Sequence, residues 1–285
     1  MSGGQLELRS LEPVFAAVPG TVSVWCGRPD LDAASPTFSR YDEATHYAAS
    51  TMKVAVMAAA YHAADAGRLD LDVDVPVHDE FVSAAGDSVT YRSTADYDND
   101  PLPWQRLGGT VPLRWLVRRM IVRSSNLATN LVLERVGVDA VAAAWQAAGA
   151  HHATVTRGIQ DQPAADQGHE NLVTARDLAA LLSAIFMGTR GRWSYASPAA
   201  CREMLEILLA QEVTDDIAPG LPPGTTVAHK NGWVDGIRHS AAIVFPDDAP
   251  PFVLVTCVTS SLSDERAREL LARVAAASWA DRAKL

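Results

Sequence analysis

The first pair of residues in the chain whose types and spacing could do covalent chemistry is Ser50 with Lys53, in Ser50-Thr51-Met52-Lys53. Three apart at the start of a helix, the two side chains share a face. A serine hydroxyl is a poor nucleophile until a neighbouring base takes its proton. A lysine drawn out of water has its pKa pushed down towards the range useful for that task. The helix start adds backbone N–H groups with no intrahelical partner, and that of Ser50 can face a developing oxyanion. Residues 54–61 (VAVMAAAY) are apolar on nearly all sides, which implies a buried helix and a lysine that is not freely solvated. Taken alone, the same spacing also describes an ordinary helix cap followed by a solvated lysine.

Two further motifs carry groups of the same kind. Ser124-Ser125-Asn126 falls at a break between two helical patterns, and His229-Lys230-Asn231-Gly232-Trp233 at the end of a strand pattern. With Ser50-x-x-Lys53 they resemble S-x-x-K, S-D-N and K-T-G, the three-part signature of the class A β-lactamases and penicillin-binding proteins. Residues 124–137 (SSNLATNLVLERVG) look like the helix that carries S-D-N, and residues 227–259 like the K-T-G strand and the two after it. Residues 171–179 (NLVTARDLA) are similar to the end of that family's omega loop. The resemblance runs from about Leu6 to the C-terminus, with an expanded segment between Gly67 and Val111.

The resemblance implies roles position by position. Ser50 would be the nucleophile and Lys53 its base or proton relay; Ser124 would pass a proton towards the leaving group, tuned electrostatically by Lys230. Asn126 would hydrogen-bond an amide of the substrate's acyl side chain. Asn231, Gly232 and Trp233 would line the substrate along a strand edge, with the Trp233 N–H joining that of Ser50 in an oxyanion hole.

Three departures narrow this expectation. The family's omega loop carries, within E-x-x-L-N, a glutamate that activates water for deacylation. Residues 156–163 (TRGIQDQP) contain no such pattern, and Asp161 is the nearest carboxylate and the candidate deacylation base. Ser125 replaces the aspartate of the second motif. Asn231 replaces the threonine of the third, whose hydroxyl helps hold a substrate carboxylate; Arg238 or His239 is the candidate for that contact. The expected function is a serine hydrolase that forms an acyl-enzyme on Ser50 and cleaves a β-lactam or a related amide or ester. A second reading is an acyltransferase or D,D-peptidase- or esterase-like enzyme on the same scaffold, in a cytoplasmic biosynthetic pathway. A third is a binding or sensor protein that is acylated and not turned over.

Elements must hold these groups together. Residues 6–18 have helix-period apolar residues around Pro13; residues 21–26 alternate as a strand and 38–47 read as another. The Ser50 helix closes near Gly67. Residues 70–109, rich in Asp, Pro and Gly, are irregular. Helical patterns cover 111–122, 126–135, 138–148, 174–186 and 197–211, with a loop over 151–171. Three short strands at 225–229, 238–245 and 251–259 precede a final helix over 263–284. The expected fold is α/β (α+β) and β-lactamase/transpeptidase-like. An antiparallel sheet is drawn from both chain ends (1–50 with 220–285), flanked by helices, with an all-α subdomain over 51–219.

Composition excludes several alternatives. The 285 residues suffice for one large core, and 48% hydrophobic with 20% charged residues is ordinary for a globular chain. A net charge of −10 argues against a nucleic-acid or anionic-membrane partner. No apolar run reaches the roughly 18 residues that span a bilayer. Cys26, Cys201 and Cys257 are odd in number and widely spaced, fitting free buried thiols. With no signal segment visible, they place the expected location in the cytoplasm. The eight histidines show no metal-ligand spacing, and no nucleotide motif occurs, so no cofactor or metal is expected. The expected partner is a small amide, ester or β-lactam substrate; oligomeric state is left open.

Overall fold

The computed structural model describes residues 7–29 and 35–285. Leu6, the first residue of the expected N-terminal helix, lies outside them. That helix is divided into α1 (Glu7–Ser10) and α2 (Glu12–Ala16). Pro13 is accommodated in the first turn of α2, where a missing N–H costs nothing.

Strand β1 (Gly20–Gly27) follows, then β2 (Phe38–Arg40) and β3 (His46–Tyr47). The single strand expected over 38–47 is thus two. Tyr41 has φ of +46°, and the Ala44 N–H closes a turn onto its carbonyl at 2.9 Å, breaking the run between them. A 3₁₀ turn (Ala49–Met52) leads directly into α3 (Lys53–Asp65), which ends before Gly67 at φ +66°.

The segment expected to be irregular is partly ordered. It contains β4 (Asp74–Pro76), the hairpin of β5 (Glu80–Val82) and β6 (Thr90–Arg92), α4 (Pro101–Trp104), and β7 (Thr110–Pro112), which pairs with β4. Helices α5 (Leu113–Val122), α6 (Asn126–Val136) and α7 (Val138–Ala147) come next. The loop beyond them carries a short α8 (Gln162–Asp166) and β8 (Leu172–Val173), which pairs with β3. Helices α9 (Ala175–Gly188) and α10 (Pro198–Leu209) are capped by Thr174 and Ser197, as their sequences predict. Segment 51–219, expected to be all-α, is therefore helical at its heart and carries small two-stranded ladders in addition.

The chain closes with β9 (Thr226–Val234), β10 (Ile237–Phe245), β11 (Phe252–Ser260) and α11 (Asp264–Asp281). These strands and the N-terminal pair form one antiparallel sheet in the order β2-β1-β11-β10-β9. Alternation gives the sheet two apolar faces. Val22, Val24, Ala242, Val244, Leu254 and Val258 lie in the core shared with α1, α2 and α11. Trp25, Ala241, Ile243, Val253, Val255 and Cys257 lie in the larger core with the helical region. The three cysteines are buried and free. No helix among the described residues is long and apolar enough to cross a membrane.

Candidate active site

The site forms where the start of α3, the turn before α6 and the edge strand β9 meet. Helix α3 is buried along residues 53–61, as its all-round apolar sequence requires, so Lys53 is 0% exposed. The Lys53 Nζ lies 2.7 Å from the Ser124 carbonyl oxygen, 2.8 Å from Asn126 Oδ1 and 3.3 Å from Ser124 Oγ. Burial pulls its pKa down to about 7, against a smaller upward pull from Asp98. Ser50, in the 3₁₀ turn ahead of Lys53, is half-exposed, and its hydroxyl has no hydrogen-bond partner among the described residues. Ala49 just before it has φ of +45°, a conformation costly for a residue with a Cβ.

Ser124 is fully buried at φ +58°. Its Oγ lies 3.0 Å from Lys230 Nζ as well as 3.3 Å from Lys53 Nζ. Lys230 also donates to the Asn231 carbonyl oxygen at 2.7 Å. Its pKa is depressed well below the ordinary lysine value, by burial first and by the charge of Lys53 second. Two buried amines therefore converge on one hydroxyl. Gly232, on β9, comes close to the turn that carries Ser50. A Cβ there would lie 2.6 Å from the Ser50 N and 3.0 Å from the Thr51 N, so this position admits only glycine.

Asn126 is held rather than free. Its Oδ1 accepts from Lys53, and its Nδ2 donates to the Tyr97 carbonyl oxygen. Ser125 caps α6, and its hydroxyl donates to Asp98 Oδ2 at 3.1 Å. The same carboxylate oxygen accepts from the Asn126 N–H at 3.0 Å, the Leu127 N–H at 2.8 Å and Trp104 Nε1 at 3.0 Å. The acidic group absent at position 125 is thus supplied at the N-terminus of α6 by Asp98, where the helix dipole favours it. Asp98 is not among the residues the motifs point to; its only signal in the sequence is the turn-like Asp98-Asn99-Asp100-Pro101 ahead of a short helix.

The omega-like segment is pinned from two sides. Asn130 brackets Ile159, accepting from its N–H at 2.7 Å and donating to its carbonyl at 2.9 Å. Asn171 Oδ1 accepts from the Thr156 N–H at 2.8 Å, and its carbonyl accepts from the Ala48 N–H at 2.8 Å, two residues before Ser50. Asp161 is fully buried, with its oxygens spent on local structure. It accepts from Ser83 Oγ at 2.5 Å, the Ala84 N–H at 2.9 Å and the Ala164 N–H at 3.2 Å, and it makes no hydrogen bond to Ser50, Lys53 or Ser124. The structure does not bring this candidate base to the lysine cluster.

Nor does it leave Arg238 or His239 free for a substrate. Arg238 is ion-paired internally to Asp216 and Asp264. His239 is fully buried, accepts the Val258 N–H on Nδ1 at 3.1 Å, and so donates from Nε2 to the Tyr47 carbonyl oxygen at 2.9 Å. His46 packs edge-on against it, with ring centroids 5.3 Å apart. Ser23 Oγ spends its proton on the Tyr41 carbonyl oxygen, so His46 donates to Ser23 from Nε2 and accepts from Thr259 on Nδ1. Burial drives the pKa of His46 down to about 3 and that of His239 to about 4. No cluster of metal-ligating side chains occurs among the described residues.

A sheet built from both chain ends and a helical middle, with a serine and two buried lysines where they meet, define a protein of the β-lactamase/transpeptidase-like fold. The chain belongs to the beta-lactamase enzyme family, whose model matches residues 8–281. Among similar solved structures, a β-lactamase from Sphaerobacter thermophilus is 24% identical, with a TM-score of 0.80 over 98% of both chains. PBP-A is 22% identical, with a TM-score of 0.77 over 98% of this chain and 96% of that one. The class A β-lactamase of the last common ancestor of Gram-negative bacteria is 20% identical, with a TM-score of 0.75 over 96% of this chain and 98% of that one. These likenesses show a shared fold. No curated protein matches the chain.

Proposed function

We propose that the protein is a serine hydrolase that forms an acyl-enzyme on Ser50 with a β-lactam or a related amide or ester. The observation that carries this reading is the convergence of Lys53 and Lys230 on Ser124 Oγ, beside a half-exposed serine and a glycine-cleared strand edge. With its pKa near 7, Lys53 is an amine able to take the Ser50 proton at neutral pH. The Ser50 Oγ then bonds to the substrate carbonyl carbon, and the oxyanion rests on the N–H groups of Ser50 and Trp233. As the bond to the leaving nitrogen or oxygen breaks, Ser124 gives that atom its proton and is reprotonated from Lys53. The net products are the acyl ester of Ser50 and the free amine or alcohol. Asn126 and the β9 edge would orient the acyl side chain.

Deacylation by an amine or alcohol, which would make the enzyme an acyltransferase, is the second reading. It is favoured by Asp161, whose oxygens are committed to Ser83, Ala84 and Ala164. Intact-mass measurement after incubation with benzylpenicillin and a chromogenic cephalosporin tests both. Turnover with a transient adduct supports hydrolysis, and a lasting adduct discharged by added amines supports transfer. An adduct that persists unchanged in Ser50→Ala, or none in the wild type with any acyl donor, overturns the proposal.

A further inference from the structure

The loop between α9 and α10 has a charge opposite to that of the chain as a whole. Residues 178–202 hold three arginines and no aspartate or glutamate, in a chain with 34 acidic residues and a net charge of −10. Arg190, Arg192 and Arg202 are exposed, and so is Trp193, at 37%. None of the three arginines is ion-paired among the described residues. The end of α9 orders the loop. The N–H groups of Arg190 and Arg192 both donate to the Met187 carbonyl oxygen at 3.2 Å, and that of Gly191, at φ +65°, donates to the Gly188 carbonyl oxygen at 3.0 Å. Two of the side chains are held as well. Arg202 Nη1 donates to the Thr189 carbonyl oxygen at 3.3 Å, and the Arg190 Cζ lies 4.7 Å from the Phe186 ring centroid. The carboxylates that flank the loop are Asp65, Glu203 and Glu206. Asp65 accepts from the Ser197 N–H at 2.6 Å and its hydroxyl at 2.8 Å, with the exposed Arg68 three residues beyond it. Glu203 pairs with Arg114, and Glu206, one turn after Arg202, makes no ion pair with it.

One cation would answer the C-terminal dipole of α9. Arg192 lies past the turn that closes that helix, and Arg202 sits in the N-terminal half of α10, where the dipole favours no cation. We propose that this face docks an acidic polypeptide segment of a partner protein, whose carboxylates pair with Arg190, Arg192 and Arg202 while an apolar side chain covers Trp193. Guanidinium forks match carboxylates in a bidentate way, and arginine and tryptophan supply a large share of the binding energy at protein interfaces. Side chains already placed by Thr189 and Phe186 lose less freedom on docking. A long polyanion is a poorer match, because nucleic acid or an anionic membrane would extend past the loop onto a surface of net negative charge. The fourteen residues of α9 set the loop about 20 Å from Thr174, which follows the strand paired with β3. The inference is therefore independent of the chemistry proposed at Ser50.

The test follows the fluorescence anisotropy of a labelled synthetic peptide of glutamate, aspartate and leucine, titrated with the full chain at low salt. The acidic peptide is expected to bind, more weakly as salt rises, and a counterpart with lysine at the acidic positions is not. Arg190→Glu combined with Arg192→Glu is expected to weaken binding by at least roughly tenfold. Arg9→Glu combined with Arg273→Glu makes the same charge change at exposed positions of α1 and α11, and is expected to leave binding within about threefold of wild type. No binding at about 100 µM protein, or an equal loss in both double variants, overturns the inference. So does tighter binding of a single-stranded oligonucleotide or of phosphatidylglycerol vesicles that the Arg190 and Arg192 changes abolish. Self-association of the wild type that those changes disperse would assign the face to a second copy and likewise overturn it. Should the first double variant not fold, Trp193→Ala is expected to weaken peptide binding several-fold, and an unchanged affinity there counts against the proposal.

Discussion

At the scale of single residues, the feature with most consequence is an amine kept close to its neutral form. On the proposed mechanism acylation needs neutral Lys53, so its rate should rise with pH through an inflection near 7 and fall away below it. Single-turnover acylation measured across pH reads this directly. Lys53→Ala should lower the rate by about 10²–10⁴-fold with the fold retained, and a rate equal to wild type would remove Lys53 from the mechanism. Asp98 pulls the Lys53 pKa upward, so Asp98→Asn should move the inflection to lower pH. Gly232 makes a second test at this scale. Its missing Cβ would lie 2.6 Å from the Ser50 N, so Gly232→Ala should displace an oxyanion donor. The expected cost is roughly 10²–10³-fold in acylation together with a lowered thermal midpoint, because the clash is with backbone; an unaffected rate would show that this N–H is not used.

At the scale of elements, the omega-like segment is where sequence and structure diverge most. The positions of Ser50, the two lysines, Ser124 and Gly232 were legible because short motifs place them on a helix start, a helix break and a strand. The elements carrying them were legible from caps such as Thr174 and Ser197 and from alternation in β10 and β11. Asp98, Asn130 and Asn171 were not, because each acts by bonding backbone groups distant in sequence, which leaves no local pattern. The short ladders within residues 74–112 escaped for a related reason: three-residue strands hold too few alternations to register. Asp161 illustrates the converse, since proximity in sequence suggested a base and the structure shows a carboxylate tying α8 to residues 83 and 84. Asp161→Asn should therefore cost about 1–3 kcal/mol of stability in urea unfolding. It should leave the deacylation rate of the Ser50 adduct unchanged, and abolished deacylation would restore Asp161 as the base.

At the scale of the whole molecule, stability is linked to pH by its buried histidines. Unfolded, each binds a proton near pH 6.5; folded, His46 does so only at about 3, and His229 and His239 at about 4, chiefly because burial disfavours the charge. Below 6.5 the unfolded chain binds more protons, so stability should fall as pH drops towards 4, by up to about 1.4 kcal/mol per pH unit for each histidine. Urea midpoints measured between pH 7 and 4 report this slope. His239→Gln should flatten it, and an undiminished slope would assign the effect to other groups. His239 holds the Tyr47 carbonyl three residues ahead of Ser50, so acid should loosen the Ser50 turn along with the sheet.

The pairing of β1 with β11 has a consequence for how the chain is made. Val22 pairs with Val258 and Trp25 with Val255, so β1 waits for partners synthesised more than two hundred residues later. At a ribosomal rate of about 5–20 residues per second, that delay is on the order of tens of seconds. Throughout it the apolar run Val22-Ser23-Val24-Trp25-Cys26 can pair on one side only, with the three-residue β2, while α3 to α10 already hold everything needed to pack on one another. The nascent chain therefore carries a strand with one open, apolar edge until its last sixty or so residues emerge, and Lys230 reaches Ser124 only then. Catalytic competence arrives last in synthesis, and chaperone demand should concentrate on the first strand made.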